Sequence, residues 1–180
     1  MVYLFLADGF EEIEALCVLD LLRRAGIETK TVGVTGKVVN GSHKIPVACD
    51  VQETEININD SFDMIILPGG LPGSDNLNAS KVVDNFIKEA YENDKFICAI
   101  CAAPYILGVR GILKGKKATC YPGFEDKLEG AIYQNTGVVR DGKIITGRAM
   151  GSAIDFALEI VEALLGKDIR EKIRASIIYD

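Results

Sequence analysis

Five short apolar runs punctuate the chain, at 2–7 (VYLFLA), 29–34 (TKTVGV), 63–68 (DMIILP), 95–100 (KFICAI) and 143–147 (KIITG). Each is compact and rich in β-branched or aromatic residues, the composition of strands buried on both faces of a parallel sheet. Between them the apolar positions shift to a helical period. In 80–93, Val83, Phe86, Ile87, Ala90 and Tyr91 share one face, and Ser80 stands where an N-cap belongs. In 151–166, Ile154, Leu158, Val161 and Leu165 form a stripe, Ser152 and Asp155 resemble a capping box, and Gly166 is a stop. Strand and helix alternating in this way predict an α/β fold, a mostly parallel sheet with helices on both faces joined by right-handed crossovers.

Two segments break the alternation. In 36–60, Asn40-Gly41 lies between short alternating runs and predicts a small β-hairpin outside the main sheet. Residues 118–142 read the same way, with Arg140-Asp141-Gly142 as the turn before the last strand. The first helix, within 11–26, is irregular in another respect. Leu16 to Leu19, then Leu21 and Leu22, place apolar side chains around most of its circumference. Such a helix is buried on two sides; one is assigned to the sheet and the other to a second subunit.

Composition narrows the classes open to this chain. Its 180 residues contain no repeat or linker, so one domain is expected over 1–180, enough to bury roughly 70% of the unfolded surface. Hydrophobic residues make up 48% and charged residues 26%, as in ordinary soluble proteins. The net charge is −6, and the one basic cluster, 167–174, is interleaved with acids. The cationic surface that nucleic-acid binding requires is therefore not expected. No apolar run approaches the roughly 20 residues of a membrane span. The opening run ends at Asp8 without a basic flank and is read as a strand, not a leader. Five cysteines, odd in number and irregularly spaced, point to reduced thiols in a cytoplasm.

In an open α/β sheet, ligands bind beyond the carboxyl ends of the strands. Three turns there are distinctive: 7–14 (ADGFEEIE), 68–74 (PGGLPGS) and 101–104 (CAAP). The glycine loop lacks the Lys-Ser/Thr of a nucleotide P-loop, which leaves a tight turn whose backbone donors suit an oxyanion. Glu11 and Glu12 complement a helix dipole. Glu14 shares a ridge with Val18 and Leu21, so it is either a solvated glutamate or an inward, desolvated and protonated carboxyl.

Cys98 and Cys101 are spaced C-x-x-C. A metal centre would need further ligands, but the only histidine is His43. A disulfide is opposed by geometry. Cys98 falls inside a strand, so about 10 Å separates it from Cys101, against a limit of about 7 Å between bridged Cα atoms. Cys17, Cys49 and Cys98 read as buried small hydrophobes. Cys101 follows the strand and precedes a helical pattern, the setting of a nucleophile elbow where a helix N-terminus lowers a thiol pKa.

These motifs, in this order and spacing, resemble the ThiJ/PfpI superfamily, in the branch of the human parkinsonism-associated deglycase. The resemblance runs nearly end to end through ADGFEEIEA, VLDLLRRAGI, ILPGGLPGSDNL, AICAAP and DGKIITGRAMGSAIDFALEIVEALLGK. It implies a flavodoxin-like three-layer sandwich, no cofactor and no metal, and a homodimer built partly through the first helix. It makes Cys101 the reactive thiol and Glu14 the protonated carboxyl bonded to its sulfur. Gly69, Gly70 and Ala102 would form the oxyanion and substrate-binding backbone. The implied substrate is a small aldehyde or dicarbonyl, handled as by a glutathione-independent glyoxalase or deglycase; the alternative is an oxidative-stress sensor or chaperone in which Cys101 becomes a sulfinic acid. One departure matters. Where close relatives carry a histidine before a proline, this chain has Tyr121 before Pro122. The histidine that the peptidase branch carries directly after the cysteine is replaced by Ala102, which makes a peptidase unlikely on the pattern. His43, in the outer hairpin, reads as a solvated loop histidine that could approach the site only across a dimer interface, and Cys120 is a candidate second thiol.

Overall fold

The computed structural model describes residues 1–179. Its strands are β1 Val2–Leu6, β2 Thr29–Gly33, β3 Val38–Asn40, β4 Pro46–Ala48, β5 Val51–Gln52, β6 Met64–Leu67, β7 Phe96–Ile100, β8 Lys117–Ala118, β9 Ile132–Tyr133, β10 Val138–Asp141 and β11 Ile144–Gly147. Its helices are α1 Glu12–Arg24, α2 Gly73–Ala79, α3 Lys81–Glu92, α4 Pro104–Gly108, α5 Ala153–Leu165 and α6 Lys167–Ser176. Seven strands form the main sheet in the order β10-β11-β7-β6-β1-β2-β5, all parallel except β10, which runs antiparallel to β11. The five predicted strands are its centre, each within a residue of its expected bounds.

The central strands are apolar throughout because both faces are covered. Successive side chains in a strand point to opposite faces. Tyr3, Phe5, Ile65, Leu67, Ile97 and Ala99 face one layer, where Leu77 of α2, Phe86 and Ile87 of α3 and Ile106 of α4 complete the core. Leu4, Leu6, Ile66, Cys98, Ile100 and Ile145 face the other, against Val18 and Leu22 of α1 and Phe156 and Ile160 of α5. A sheet between two helical layers, with the β2-β1-β6-β7-β11 core order, is a flavodoxin-like sandwich.

Several local readings need correction. The hairpin β3–β4 exists outside the main sheet, but it turns through 41–44 with Lys44 left-handed (φ 67°), not on an Asn-Gly turn. The chain then returns to the main sheet as β5. Residues 118–136 are not a hairpin, since β8 and β9 pair in parallel; Asp141-Gly142 does turn β10 into β11. Ser80 caps α3 by accepting from the Val83 N–H at 3.2 Å, whereas Ser152 makes no side-chain cap on α5. Tyr91 and Leu165 sit at the ends of their stripes and are exposed. The second side of α1 is covered in part by α5 of the same chain; Ile13 stays 52% exposed, with Leu16, Cys17 and Leu19 half-buried.

Candidate active site

Four loops meet at the carboxyl edge of the sheet: those after β1, β6, β7 and β11. The β1 loop is latched to the β6 loop by the Glu11 N–H, which donates to Gly69 O at 2.9 Å. Glu11 itself caps α1, accepting from the Ile13 N–H. One turn further, the helix aims Glu14 inward, where it is 1% exposed. Its Oε2 accepts from the Gly69 N–H at 2.9 Å, and it also meets the Met150 N–H and the Cys101 thiol. Burial outweighs these bonds and pushes the Glu14 carboxyl up to about 7. The inward, desolvated alternative is the one realised.

Cys101 leaves β7 at φ 64°, a left-handed conformation unusual for a residue with a side chain. The elbow is fixed from both sides. The Cys101 N–H donates to Gly147 O at 3.0 Å, and its carbonyl accepts from the Tyr121 N–H at 2.8 Å. The thiol is pushed up to about 12, first by burial and then by Glu14, against the Ala102 and Gly70 amides that pull it down. This reverses the expectation of a thiol acidified by a helix, since α4 has only five residues and begins at Pro104. The two groups titrate as a pair. When the carboxyl holds its proton, it donates to sulfur instead of repelling it, so one proton shared by Glu14 and Cys101 is the arrangement in which a thiolate is tolerated.

The backbone donors divide in their tasks. Gly70 and Ala102 direct their amides at the sulfur. Gly69 does not join them as expected, because Glu14 takes its N–H. Its role is close approach, since a Cβ there would lie 2.5 Å from both Cys101 Cβ and Glu14 Oε2. Tyr121, 47% exposed, lines the cleft over the thiol.

His43 needs a larger correction. The hairpin folds back over the start of α1, so His43 lines the same cleft within its own chain, with no partner subunit required. Its Nδ1 lies 3.0 Å from Glu12 Oε2, and its N–H donates to Glu12 Oε1 at 2.8 Å. Burial raises the Glu12 carboxyl, but the bonds from the His43 ring and the backbone outweigh it and hold the carboxyl at about 2. Cys120 also differs from expectation. It is fully buried in the helical layer opposite the cleft's own packing, its thiol pushed up to about 12 by burial and Glu125. It does not line the cleft. All five cysteines are free thiols.

Sequence reasoning passed over the loop after β11. Ala149, Met150 and Gly151 form one wall of the cleft, and the Met150 backbone favours the charged form of Glu14. The signal was the motif TGRAMG itself, which is short, follows a strand and precedes a helix. The finished cleft has a volume of about 380 Å³, suited to a small molecule. Glu11, Glu12 and His43 bring ligand-type atoms within 4.8 Å of one another, yet these atoms bond among themselves and tie the hairpin to α1.

The chain as a whole is similar to known proteins. The pattern of the DJ-1/PfpI family matches residues 1–163. The chain is 36% identical over 177 residues to the Parkinson disease protein 7 homolog of Danio rerio, covering 96% of this chain and 94% of that one. It is 34% identical over 163 residues to the glutathione-independent glyoxalase DJR-1.2 of Caenorhabditis elegans, covering 89% and 86%. Against the protein DJ-1 homolog B of Arabidopsis thaliana it is 39% identical over 90% of its own length but spans only 37% of that relative. A solved structure of a DJ-1 superfamily protein from Salmonella typhimurium superposes with a TM-score of 0.94 at 36% identity, covering 99% of this chain and 98% of that one. With matching fold, matching extent and a family pattern spanning nine-tenths of its residues, the chain belongs to the DJ-1/PfpI family.

Proposed function

We propose that the chain is a cysteine-dependent enzyme acting on small reactive dicarbonyls or their adducts. The observation that carries this reading is the Glu14–Cys101 pair: a buried carboxyl poised near neutrality, touching a thiol under two backbone donors, beneath a cleft of about 380 Å³. A general acid–base group is most effective when its pKa lies near the working pH. The Cys101 thiolate adds to the aldehyde carbon of a 2-oxoaldehyde, and the new oxyanion is held by the Gly70 and Ala102 amides until Glu14 gives it a proton. Glu14 then takes the proton from that carbon and returns it to the neighbouring one, which turns the hemithioacetal into a 2-hydroxy thioester. Water releases the 2-hydroxy acid and the free thiol, so the sum is dicarbonyl plus water. Tyr121, on the cleft wall, orients the substrate. The relative in Caenorhabditis elegans that is named a glutathione-independent glyoxalase supports this class of activity. The chain is further proposed to act as a homodimer, its exposed Ile13 and Met150 flanking Glu14 at the cleft rim.

The same donors favour a second reading, in which Cys101 is a redox sensor. Two equivalents of peroxide would carry the thiol to a sulfinic acid, with release of two waters. Gly70, Ala102 and protonated Glu14 are placed to bond its oxygens.

Methylglyoxal turnover by the wild type, Cys101→Ser and Glu14→Gln separates these readings. The enzyme reading expects lactate from the wild type, none from the serine variant, and a loss of about 100-fold or more in the glutamine variant. Consumption by the wild type no faster than by a simple thiol sinks it. In that case selective addition of two oxygens at Cys101 by peroxide, seen in the intact mass, supports the sensor.

A further inference from the structure

A cavity of about 590 Å³ lies at the end of the sheet opposite the chemistry just described. It opens at the amino ends of β1, β2, β6 and β7, where Ile27, Phe62, Phe96 and Leu164 give it an apolar lining. Asp94, Lys95, Phe96 and Lys143 also line a second, adjoining cavity of about 360 Å³. That second chamber is cationic. Lys95, Lys116, Arg140 and Lys143 line it, against Asp94 as its single acid, in a chain whose net charge is −6.

The nearby carboxylates all have partners, two of them among the chamber's own cations. Asp63 pairs with the Met1 amine, and Asp141 Oδ2 accepts from the Lys117 N–H at 2.9 Å. Glu89 pairs with Lys95 at 3.0 Å and Glu159 with Arg140 at 3.5 Å. Among the described residues no carboxylate lies within 4.0 Å of Lys116 or Lys143. Both lysines are half-buried along the groove rather than extended into water. Two cations share one ring, Lys143 Nζ at 4.1 Å and the Arg140 guanidinium at 5.5 Å from the Phe96 centroid. Gathering like charges in a concave, partly apolar site raises a positive potential that an anion relieves.

We propose that this edge binds a small phosphate monoester. The dianion sits among Lys116, Arg140 and Lys143, and the organic body lies along Phe96 and Ile27 in the larger chamber. A phosphate monoester carries close to two negative charges at neutral pH, which matches two unpaired lysines where a monocarboxylate would answer only one. Arg140 adds a third positive charge beside them, although its Nη1 already lies 3.5 Å from Glu159. The groove's volume is that of a small-ligand site, and the site is independent of Cys101, so it stands or falls apart from the enzyme reading.

Phenyl phosphate titrated calorimetrically into the full chain at low ionic strength is the test, with inorganic phosphate as comparison. The expected result is saturable binding of phenyl phosphate about tenfold or more tighter than inorganic phosphate, weakening as salt rises. Lys116→Gln/Lys143→Gln is expected to lose about tenfold or more in affinity, with an unchanged melting temperature and unchanged methylglyoxal consumption, and Cys101→Ser to bind as the wild type does. Absence of saturable binding overturns the proposal. So does equal affinity for the two phosphates, or a double lysine variant that binds normally.

Discussion

Cys101 occupies a backbone conformation that favours glycine, and that has a measurable consequence. A left-handed L-residue costs roughly 1–2 kcal/mol, so removing this side chain relieves strain while giving up only a half-buried thiol. Cys101→Gly is therefore expected to melt within about 3 °C of the wild type, at roughly 2–4 °C per kcal/mol for a chain of this size. Cys98→Gly is the contrasting case. Cys98 is fully buried between Ile66 and Ile145, so it loses core packing and gains a strand glycine, for a drop of about 5 °C or more. Thermal denaturation of the two variants side by side checks this; a Cys101→Gly as unstable as Cys98→Gly would show that the elbow is unstrained. The distinction was legible in the sequence, because Cys98 stands inside an apolar run and Cys101 just beyond it. The direction of the thiol pKa was not. It depends on the distance from Glu14, 87 positions earlier in the chain, and on a Met150 amide that no spacing reveals.

The β3–β4 hairpin, whose existence the patterning predicts but whose docking it does not, is the element that shapes the cleft rim. Its backbone is stitched to the β1 loop by the Gly9 N–H donating to Asn40 O and the Ser42 N–H to Phe10 O, both at 2.8 Å. Its side-chain tie is the Glu12–His43 pair. Residues in 36–60 alternate correctly for strands, but nothing local says that the loop will fold onto α1, because that depends on Glu12 accepting from a residue 31 positions away. The pair makes the hold pH-dependent. Glu12 falls from an ordinary 4.5 to about 2, so its contribution is complete above about 4.5 and disappears as the pH drops through 2. His43 is raised above 6.5 by Glu12 and Glu11, so its contribution is complete below 6.5 and disappears as the pH rises through its folded pKa. Amide exchange across 38–48 is expected to be slowest between pH 4.5 and 6.5 and to quicken above, relative to the intrinsic rate. Glu12→Gln should flatten that dependence. Protection that keeps rising beyond pH 8 in the wild type would remove His43 from the account.

At the scale of the molecule, the sandwich follows from five doubly buried strands and two helical layers, which the apolar periodicity displays directly. Where it ends is less visible. The apolar girth of α1 looks like an interface helix, yet α5 supplies most of its second cover, because helices distant in sequence meet on one face of the sheet. The remaining outward surface is small and specific: Ile13, with half-buried Leu16 and Cys17 behind it, and Met150 on the facing loop. Burying an exposed aliphatic side chain contributes about 1.5–3 kcal/mol, so a two-fold contact using each residue twice gains substantially from these four positions. Ile13 adjoins Glu14 in sequence and Met150 lines the cleft with it, so the same contact would wall the cleft and exclude water from the thiol. Light scattering is expected to give twice the 19.5 kDa of one chain. Ile13→Glu should halve that mass and also slow Cys101-dependent turnover, without touching a reacting group. A variant that is monomeric but fully active would separate assembly from catalysis, and a wild type that is monomeric at all accessible concentrations would leave the rim of the cleft to the hairpin alone.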